Sequence, residues 1–238
     1  MERTVARFRL TVDDAILQRY PDYTLLVIYA EGIRNGPTDT ASDAYLRDAE
    51  EHQRKALTSD HLPLHPHIAA WRKMYSSFGL KPNKYPCSAE ALLKRVLKDQ
   101  NLPRINRLVD FYNAVSVRYV LPLGGEDWDQ IESDVVLKES SGTEPFIARV
   151  NHEEVTTYPE PGEIIWADRA GVTCRAWNWR QGHRTMLTEA TRNAYFVFDR
   201  LAPLPMADLR RAESDLTRVL REEARAAQVW SETFGASS

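Results

Sequence analysis

The sequence predicts an α+β domain. A continuous run of branched and aromatic residues from Thr24 to Ala30 is bounded by Pro21 and Gly32, which is typical of a buried central strand. Charged and amphipathic helix patterns follow it, and several short strand patterns come after the helices. This order favours mixed or antiparallel sheets packed with helices.

Length and composition favour one main domain. The chain has 238 residues, 43% hydrophobic and 27% charged, and can bury a sizeable core. Pro203 and Pro205 mark a linker, which predicts a domain over 1–202 and a C-terminal amphipathic helix within 203–238. The apolar stripe of that helix is Leu209, Ala212, Leu216, Val219, Ala226 and Trp230.

We expect a soluble, cytoplasmic protein that does not contact a membrane. The first ten residues lack an apolar run of signal-peptide length. No stretch approaches the ~18 to 20 apolar residues of a membrane span.

The first half of the chain contains three predicted helices and a weak strand. Val5 to Leu10 alternates weakly, and Ser42 is placed to cap a charged helix that runs to about Leu57. His67 to Ser77 reads as a helix, and Ser88 is placed to cap the next one, with lysines and an arginine on its outer side.

Histidine and cysteine positions do not favour a metal or a cofactor. His61, His65 and His67 crowd a loop broken by prolines, with no nearby Cys or carboxylate ligand pattern. Cys87 and Cys174 lack CxxC spacing, so reduced thiols are expected.

Basic residues are concentrated in one segment. The net charge is −3, but Arg72 to Arg118 holds ten Lys or Arg against three acids, a balance of +7 that leaves −10 elsewhere. A nucleic-acid face on an acidic protein would give this asymmetry, although the basic residues can equally pair with acids elsewhere in the fold. The candidate phosphate contacts are Lys81, Lys84, Lys94, Arg95, Lys98, Arg104 and Arg180.

The stretch from Asn101 to Ile131 organises the chain. Its helix pattern starts at Pro103 and has one apolar stripe, made by Ile105, Leu108, Val109, Tyr112 and Val115. Asn106, Asp110 and Asn113 stand at i, i+4 and i+7 and form a polar row. Such a row can orient a ligand or a water, hydrogen-bond a neighbouring loop, or face solvent.

Two glycines follow this helix. VRYVLPL reads as a strand and GGEDW as a tight turn, because glycine adopts a positive φ without strain. Gly124 and Gly125 therefore either allow close approach of a ligand or serve a plain turn.

A tryptophan pair lies in the last predicted strands. Gly171 to Asn178 reads as a strand, which would place Trp177 and Trp179 on one face and Asn178 and Arg180 on the other. Tryptophan can stack a base or an aromatic amino acid, and arginine can bind phosphate; an aromatic core with an ion pair is the alternative.

Four short motifs occur in order. They are Leu102–Asn106 (LPRIN), Leu108–Asn113 (LVDFYN), Pro122–Asp127 (PLGGED) and Trp177–Arg180 (WNWR). Through them the chain resembles freestanding B3/B4 proteins and, less closely, the B3/B4 tRNA-editing domain of the bacterial phenylalanyl-tRNA synthetase beta subunit. The similarity spans about residues 71–199 and implies a B3/B4-like fold.

The resemblance implies hydrolysis, in trans, of the ester that joins an amino acid to the 3′ end of tRNA. No GxSxG, P-loop, HExxH or GxGxxG context supports another hydrolase or a nucleotide fold. The implied partner is tRNA or aminoacyl-tRNA and not DNA, and the chemistry is a positioned water with a stabilised oxyanion and no metal. The candidate catalytic residues are Glu189, Thr185, Asn113 and Asp110. The candidate substrate contacts are Asn106, Gly124, Gly125, Asp127, Trp177, Asn178, Trp179 and His183.

Two departures from the synthetase pattern argue against a tyrosine-specific site. The synthetase domain has a His after the Pro-Leu pair, where this chain has Gly124, and its Gly-rich pocket strand is replaced by WNWRQGH. Two alternative functions stay open: a non-catalytic tRNA or aminoacyl-tRNA binding module, and a protein that binds a free amino acid or another small molecule.

Overall fold

A computed structural model describes residues 8–151 and 153–235. The helices are α1 Asp14–Arg19, α2 Thr40–Ala56, α3 Pro66–Ser77, α4 Ser88–Val96, α5 Arg107–Tyr119 and α6 Met206–Glu222. The strands are β1 Leu10–Val12, β2 Thr24–Glu31, β3 Leu123–Asp127, β4 Val135–Glu139, β5 Phe146–Val150, β6 Glu153–Thr157, β7 Ile164–Asp168, β8 Gly171–Arg175, β9 Arg180–Gln181, β10 Ala194–Arg200 and β11 Gln228–Gly235. Short 3-10 helices cover Leu62–Leu64 and Trp128–Gln130.

A four-stranded antiparallel sheet, ordered β11-β2-β10-β3, lies at the centre. Both faces of β2 are covered. Leu25, Val27 and Tyr29 belong to one apolar cluster, and Leu26 and Ile28 belong to the other, which includes side chains of α5 and α6. This two-sided burial is why the β2 sequence is a continuous apolar run rather than an alternating one.

A second sheet has the order β1-β4-β7-β8-β9, and β5 pairs with β6 in a separate hairpin. The β1–β4 pair is parallel and the other pairs of this sheet are antiparallel. The predicted α+β class, with mixed and antiparallel sheets packed with helices, is therefore confirmed.

Several predicted helix limits differ from the structure. Asp39, not Ser42, caps α2, and Ser42 takes the third position of a capping box. Ser88 is the first residue of α4, after Cys87. Helix α5 begins at Arg107 and continues to Tyr119, so the predicted strand VRYVLPL is helical in its first part.

The predicted Gly-Gly turn is wrong. Gly124 and Gly125 lie inside β3, where they pair with Val197 and Phe196 of β10. Neither glycine has a positive φ. Consecutive glycines are typical of turns, but here pairing with β10 sets the conformation.

The predicted strand from Gly171 to Asn178 is confirmed as far as Arg175 and is wrong after it. Residues 176–179 form a turn between β8 and β9, with Ala176 at φ 44° and Trp177 at φ 65°. These left-handed conformations direct the two tryptophans to different surroundings: Trp177 is fully buried, and Trp179 is partly exposed.

The C-terminal helix ends earlier than predicted. Helix α6 stops at Glu222, and Trp230 lies in β11, which pairs with the whole of β2. The Trp230 ring stacks on Tyr29 at 5.3 Å between centroids. The predicted division after residue 202 stays a prediction, as does the part of the Val5–Leu10 strand that lies outside the described residues.

The predicted histidine cluster, His61, His65 and His67, does not form a metal site within the described residues. His67 is buried, with Nδ1 2.9 Å from the Val120 carbonyl and Nε2 accepting from the indole of Trp71 and the backbone N–H of Leu201. Burial lowers the pKa of His67 to about 4. His67 thus joins three parts of the chain, and no group of side chains suited to a metal is found within residues 8–151 and 153–235.

None of the helices described is long and apolar enough to cross a membrane.

Candidate functional site

A cavity of about 270 Å³ lies beside the face of the central sheet that β3 and β10 share. Its lining comes from α4, α5, β3, β7, β8, β9, β10 and the turn that carries the tryptophans. Five aromatic residues line it: Tyr112, Trp166, Trp177, Trp179 and Tyr195. It also contains two carboxyl groups, Glu126 and Asp199, and no Lys, Arg or His among the described lining residues.

Strands β3 and β10 together form one wall of the cavity. Gly124 and Glu126 of β3 are paired in register with Val197 and Tyr195 of β10, and all four line the cavity. Side chains two residues apart in a strand point to the same face. The intervening Phe196 packs in the cluster on the opposite side of the sheet.

The two glycines of β3 have different roles. A Cβ at Gly125 would stand 2.8 Å from a ring carbon of Phe196 and 3.0 Å from Leu187, so this glycine is required for packing. A Cβ at Gly124 would meet nothing within 4 Å. The missing side chain at Gly124 therefore leaves space in the cavity.

Glu126 is one of two carboxyl groups on this wall. It is 7% exposed, and its Oε2 accepts a 2.6 Å hydrogen bond from the Tyr195 hydroxyl. Burial raises the pKa of Glu126 to about 7, an effect that Tyr195 and the nearby hydroxyls of Thr185 and Thr173 oppose. Neither threonine hydroxyl makes a hydrogen bond of ordinary length, so within the described residues Tyr195 supplies the side-chain hydrogen bond of ordinary length to this carboxyl group.

Asp199, by contrast, is held by the protein. The Tyr23 hydroxyl donates to Oδ1 at 2.5 Å, and the Asn178 amide donates to Oδ2 at 3.0 Å. The Oδ1 of Asn178 lies 2.9 Å from the Tyr75 hydroxyl. Burial raises the pKa of Asp199 to about 6, and both carboxyl oxygens have protein donors.

Only one member of the polar row on α5 reaches the cavity. Asn113 lines it and is 8% exposed. Asn106 caps α5 by accepting from the N–H of Val109 at 3.1 Å. Asp110 is fully buried and accepts from the hydroxyls of Thr38 at 2.7 Å and Ser42 at 3.0 Å.

The turn between β8 and β9 contributes three consecutive residues to the cavity lining, Trp177, Asn178 and Trp179. Four other sequence-derived candidates do not line it: Asp127, His183, Thr185 and Glu189. Asp127 accepts from Thr191 at 2.6 Å, and His183 lies 3.6 Å from Glu154. Thr185 is buried next to Glu126, and Glu189 is on an exposed turn.

Half of the basic segment is neutralised within the protein. Arg72 and Lys94 pair with Glu90, Arg104 with Asp43 and Glu50, Arg107 with Asp39, and Arg118 with Asp48. Most of these acids belong to α2 or its cap. The remaining basic residues, Lys73, Lys81, Lys84, Arg95 and Lys98, are exposed and have no ion-pair partner in the described chain, and the same holds for Arg180.

Sequence analysis did not select the carboxyl groups of the cavity. A usable signal existed for Asp199, because Tyr195, Val197 and Asp199 alternate on one face of an apolar strand. For Glu126 the glycine-rich context predicted a turn and concealed the strand. Tyr112 was assigned to an apolar stripe, and Gln181, which donates to the Gly125 carbonyl at 2.9 Å, lies outside the four motifs.

The structure is an α+β domain with an aromatic-walled cavity. The B3/4 domain family model matches residues 70–218, and the chain belongs to this family. The match extends beyond the predicted 71–199 core into α6. No curated protein matches the chain.

A solved structure with a similar fold is an N-terminal fragment of the phenylalanyl-tRNA synthetase beta subunit from Pyrococcus horikoshii. It is 13% identical in sequence, with a TM-score of 0.47. The alignment covers 100% of this chain and 57% of the fragment, so the chain spans little more than half of its length.

Proposed function

We propose that this protein is a trans-editing aminoacyl-tRNA deacylase, which hydrolyses the ester of a mischarged tRNA. The observation that carries the proposal is the cavity itself, which places a carboxyl group with a pKa of about 7 in an aromatic-walled space within a B3/4 domain. At about 270 Å³ it lies near the lower end of the ~300–1,000 Å³ typical of small-molecule sites, a size suited to one aminoacyl group.

Glu126 is the proposed general base. A base works best when its pKa lies near the operating pH, which burial achieves for this carboxyl group. Glu126 would take a proton from a water whose oxygen attacks the ester carbonyl. The carbon–oxygen bond to the tRNA then breaks, and the proton passes to the departing 3′ oxygen, so the products are a free amino acid and an uncharged tRNA.

Asn113 is the proposed donor to the developing oxyanion. Its amide lines the cavity from α5. Placement on a helix that is capped by Asn106 and braced through Asp110 would hold this amide in a fixed position.

Unpaired basic residues next to the cavity would bind the RNA backbone. Helix α4 contributes Ser88, Ala91 and Leu92 to the lining and also carries Arg95. Lys81 and Lys84 lie in the loop before α4. Contacts of this type position a nucleic acid and make binding depend on salt, but they do not select sequence.

The direct test is deacylation of a panel of correctly and incorrectly charged tRNAs, with chelator present, by the wild-type protein and two variants. Glu126→Gln should slow turnover roughly 100-fold or more, the lower range for loss of a general base. Glu189→Ala tests the exposed glutamate that the sequence resemblance suggested, and we expect little change. Inactivity of the wild type on every charged tRNA would reject the proposal.

A binding function without catalysis is the second candidate, and the five aromatic residues that line the cavity favour it. Burial raises the pKa of Cys174 well above its usual value, so the thiol is not an activated nucleophile. Retention of tRNA without turnover would indicate a tRNA or aminoacyl-tRNA binding module. Saturable binding of a free amino acid without salt-dependent tRNA affinity would indicate a small-molecule binder.

A further inference from the structure

An aromatic pair lies at the outer side of the cavity. Trp179 lines the cavity and is partly exposed, and its ring meets that of Tyr85 edge to face at 4.7 Å between centroids. The Arg175 guanidinium lies 5.9 Å from the Trp179 ring, and Glu163 holds it through two hydrogen bonds of 2.9 and 2.6 Å. The position of Trp179 is therefore supported from two sides.

Exposed cationic side chains lie next to this aromatic pair. The Lys84 ammonium lies 5.2 Å from the centre of the Tyr85 ring, and Arg180 follows Trp179 directly in the chain. Lys81 and Lys84 both line a shallow depression next to the loop. This surface is positive, whereas the described cavity lining has carboxyl groups and no cation.

We propose that Trp179 and Tyr85 form the platform on which the last base of an RNA 3′ end stacks, with Lys84 and Arg180 next to its phosphates. Aromatic rings combined with cations along a groove are the usual means of holding single-stranded nucleic acid, because every base presents a π face. The inference rests on the proposed function for its choice of ligand. Because Trp179 also lines the cavity, a base stacked on it would bring an acyl group on its ribose next to the cavity.

The test is a thermodynamic cycle with uncharged tRNA. The affinity of the wild type and of Trp179→Ala is measured for bulk tRNA and for the same tRNA without its 3′-terminal nucleotide. Trp179→Phe keeps an aromatic ring, and Tyr158→Ala removes an exposed aromatic side chain that does not line the cavity.

We expect Trp179→Ala to weaken binding of intact tRNA roughly 5- to 100-fold, the range for loss of one stacked base. Removal of the terminal nucleotide should weaken wild-type binding by a similar factor and leave the Trp179→Ala variant almost unchanged. Trp179→Phe and Tyr158→Ala should stay within about threefold of the wild type.

Equal effects of the Trp179→Ala change on intact and shortened tRNA would overturn the proposal, and so would an unchanged affinity. If Trp179→Ala does not fold, the effect of shortening the tRNA on the wild type still decides, because the platform requires a loss of affinity. Uncharged tRNA is used throughout, so failure of the deacylation assay and failure of this cycle are separate results.

Discussion

The polar row on α5 and the wall formed by β3 and β10 differ in how completely the protein satisfies their polar groups. Asp110 accepts hydrogen bonds from two hydroxyls and from the backbone of Ile105, and Asn106 both caps its helix and donates to Leu187. Glu126, on the wall, has one side-chain hydrogen bond of ordinary length among the described residues, from Tyr195, and lines the cavity.

This difference distinguishes polar residues that stabilise the fold from candidates for binding or catalysis. A buried group with a full set of partners contributes to stability and has little left to offer a ligand. A buried group with an incomplete set costs stability and is a candidate for binding or catalysis. Asp199 shows that the distinction follows partners and not location, since it lines the same wall with both oxygens engaged.

The largest expected effect is on the polar row. Asp110→Ala removes the acceptor for three donors and should lower the free energy of unfolding by about 4 kcal/mol, measured by urea denaturation. Asp48→Ala is the control, because it breaks an exposed ion pair and should cost about 0.5 kcal/mol or less. Turnover per folded molecule should fall only through looser positioning of Asn113, by much less than in Glu126→Gln, and a loss as large as that of Glu126→Gln would contradict the assignment.

Glu126→Gln should have the opposite effect on stability. Burial raises the pKa of this group from 4.5 to about 7, so the folded protein keeps a proton that the unfolded chain loses. Wild-type stability should therefore fall as the pH rises from 4.5 to about 7, by roughly 3 kcal/mol. The variant lacks this loss and should be the more stable protein at pH 8.

Denaturation of the wild type and the variant across this pH range measures the effect as a difference. Contributions of Asp199 and His67, whose pKa values are also shifted, are common to both proteins. Glu132→Gln, at an exposed position, should leave the slope unchanged. Identical slopes for the wild type and the Glu126 variant would show that this carboxyl group is ionised in the folded state.

Alanine substitutions at Gly124 and Gly125 test which face of β3 lines the cavity. Gly125→Ala forces a methyl group against Phe196 and should cost about 2 kcal/mol in unfolding free energy, with the cavity volume preserved. Gly124→Ala should leave stability nearly unchanged, because the added methyl group meets no atom, but should reduce turnover or ligand affinity by filling the cavity. Similar unfolding midpoints for both variants would contradict the facing of β3.

The smallest expected effect is at the start of the row. Asn106→Ala removes the cap of α5 and should cost about 1 kcal/mol. Asn106→Asp keeps the capping oxygen but loses the amide that donates to Leu187, so its cost should be smaller. A large loss of tRNA affinity in either variant, after correction for the loss of folded protein, would show that Asn106 belongs to the binding surface and does not merely cap α5.

Local patterns predicted the parts of this protein that depend on nearby residues. Asp110 and Asn113 lie on one helix and Asn106 caps it, so spacing along the chain is enough to relate their positions. The prediction failed where pairing with a distant strand sets the secondary structure. Gly124 and Gly125 are in a strand because they pair with β10, and Trp230 is in a strand because it pairs with β2. The cavity combines eight elements, and no local pattern predicts which strand faces meet.

The pairing of β11 with β2 has a practical consequence for work with this protein. The family match at residues 70–218 contains β3 and β10 but neither β2 nor β11, which form the other half of the central sheet. A fragment limited to that match would leave the inner edge of β10 with unpaired N–H and C=O groups flanked by Phe196 and Phe198. Uncovered edges of this kind join other chains, so the fragment should be an aggregating species and not a smaller working domain.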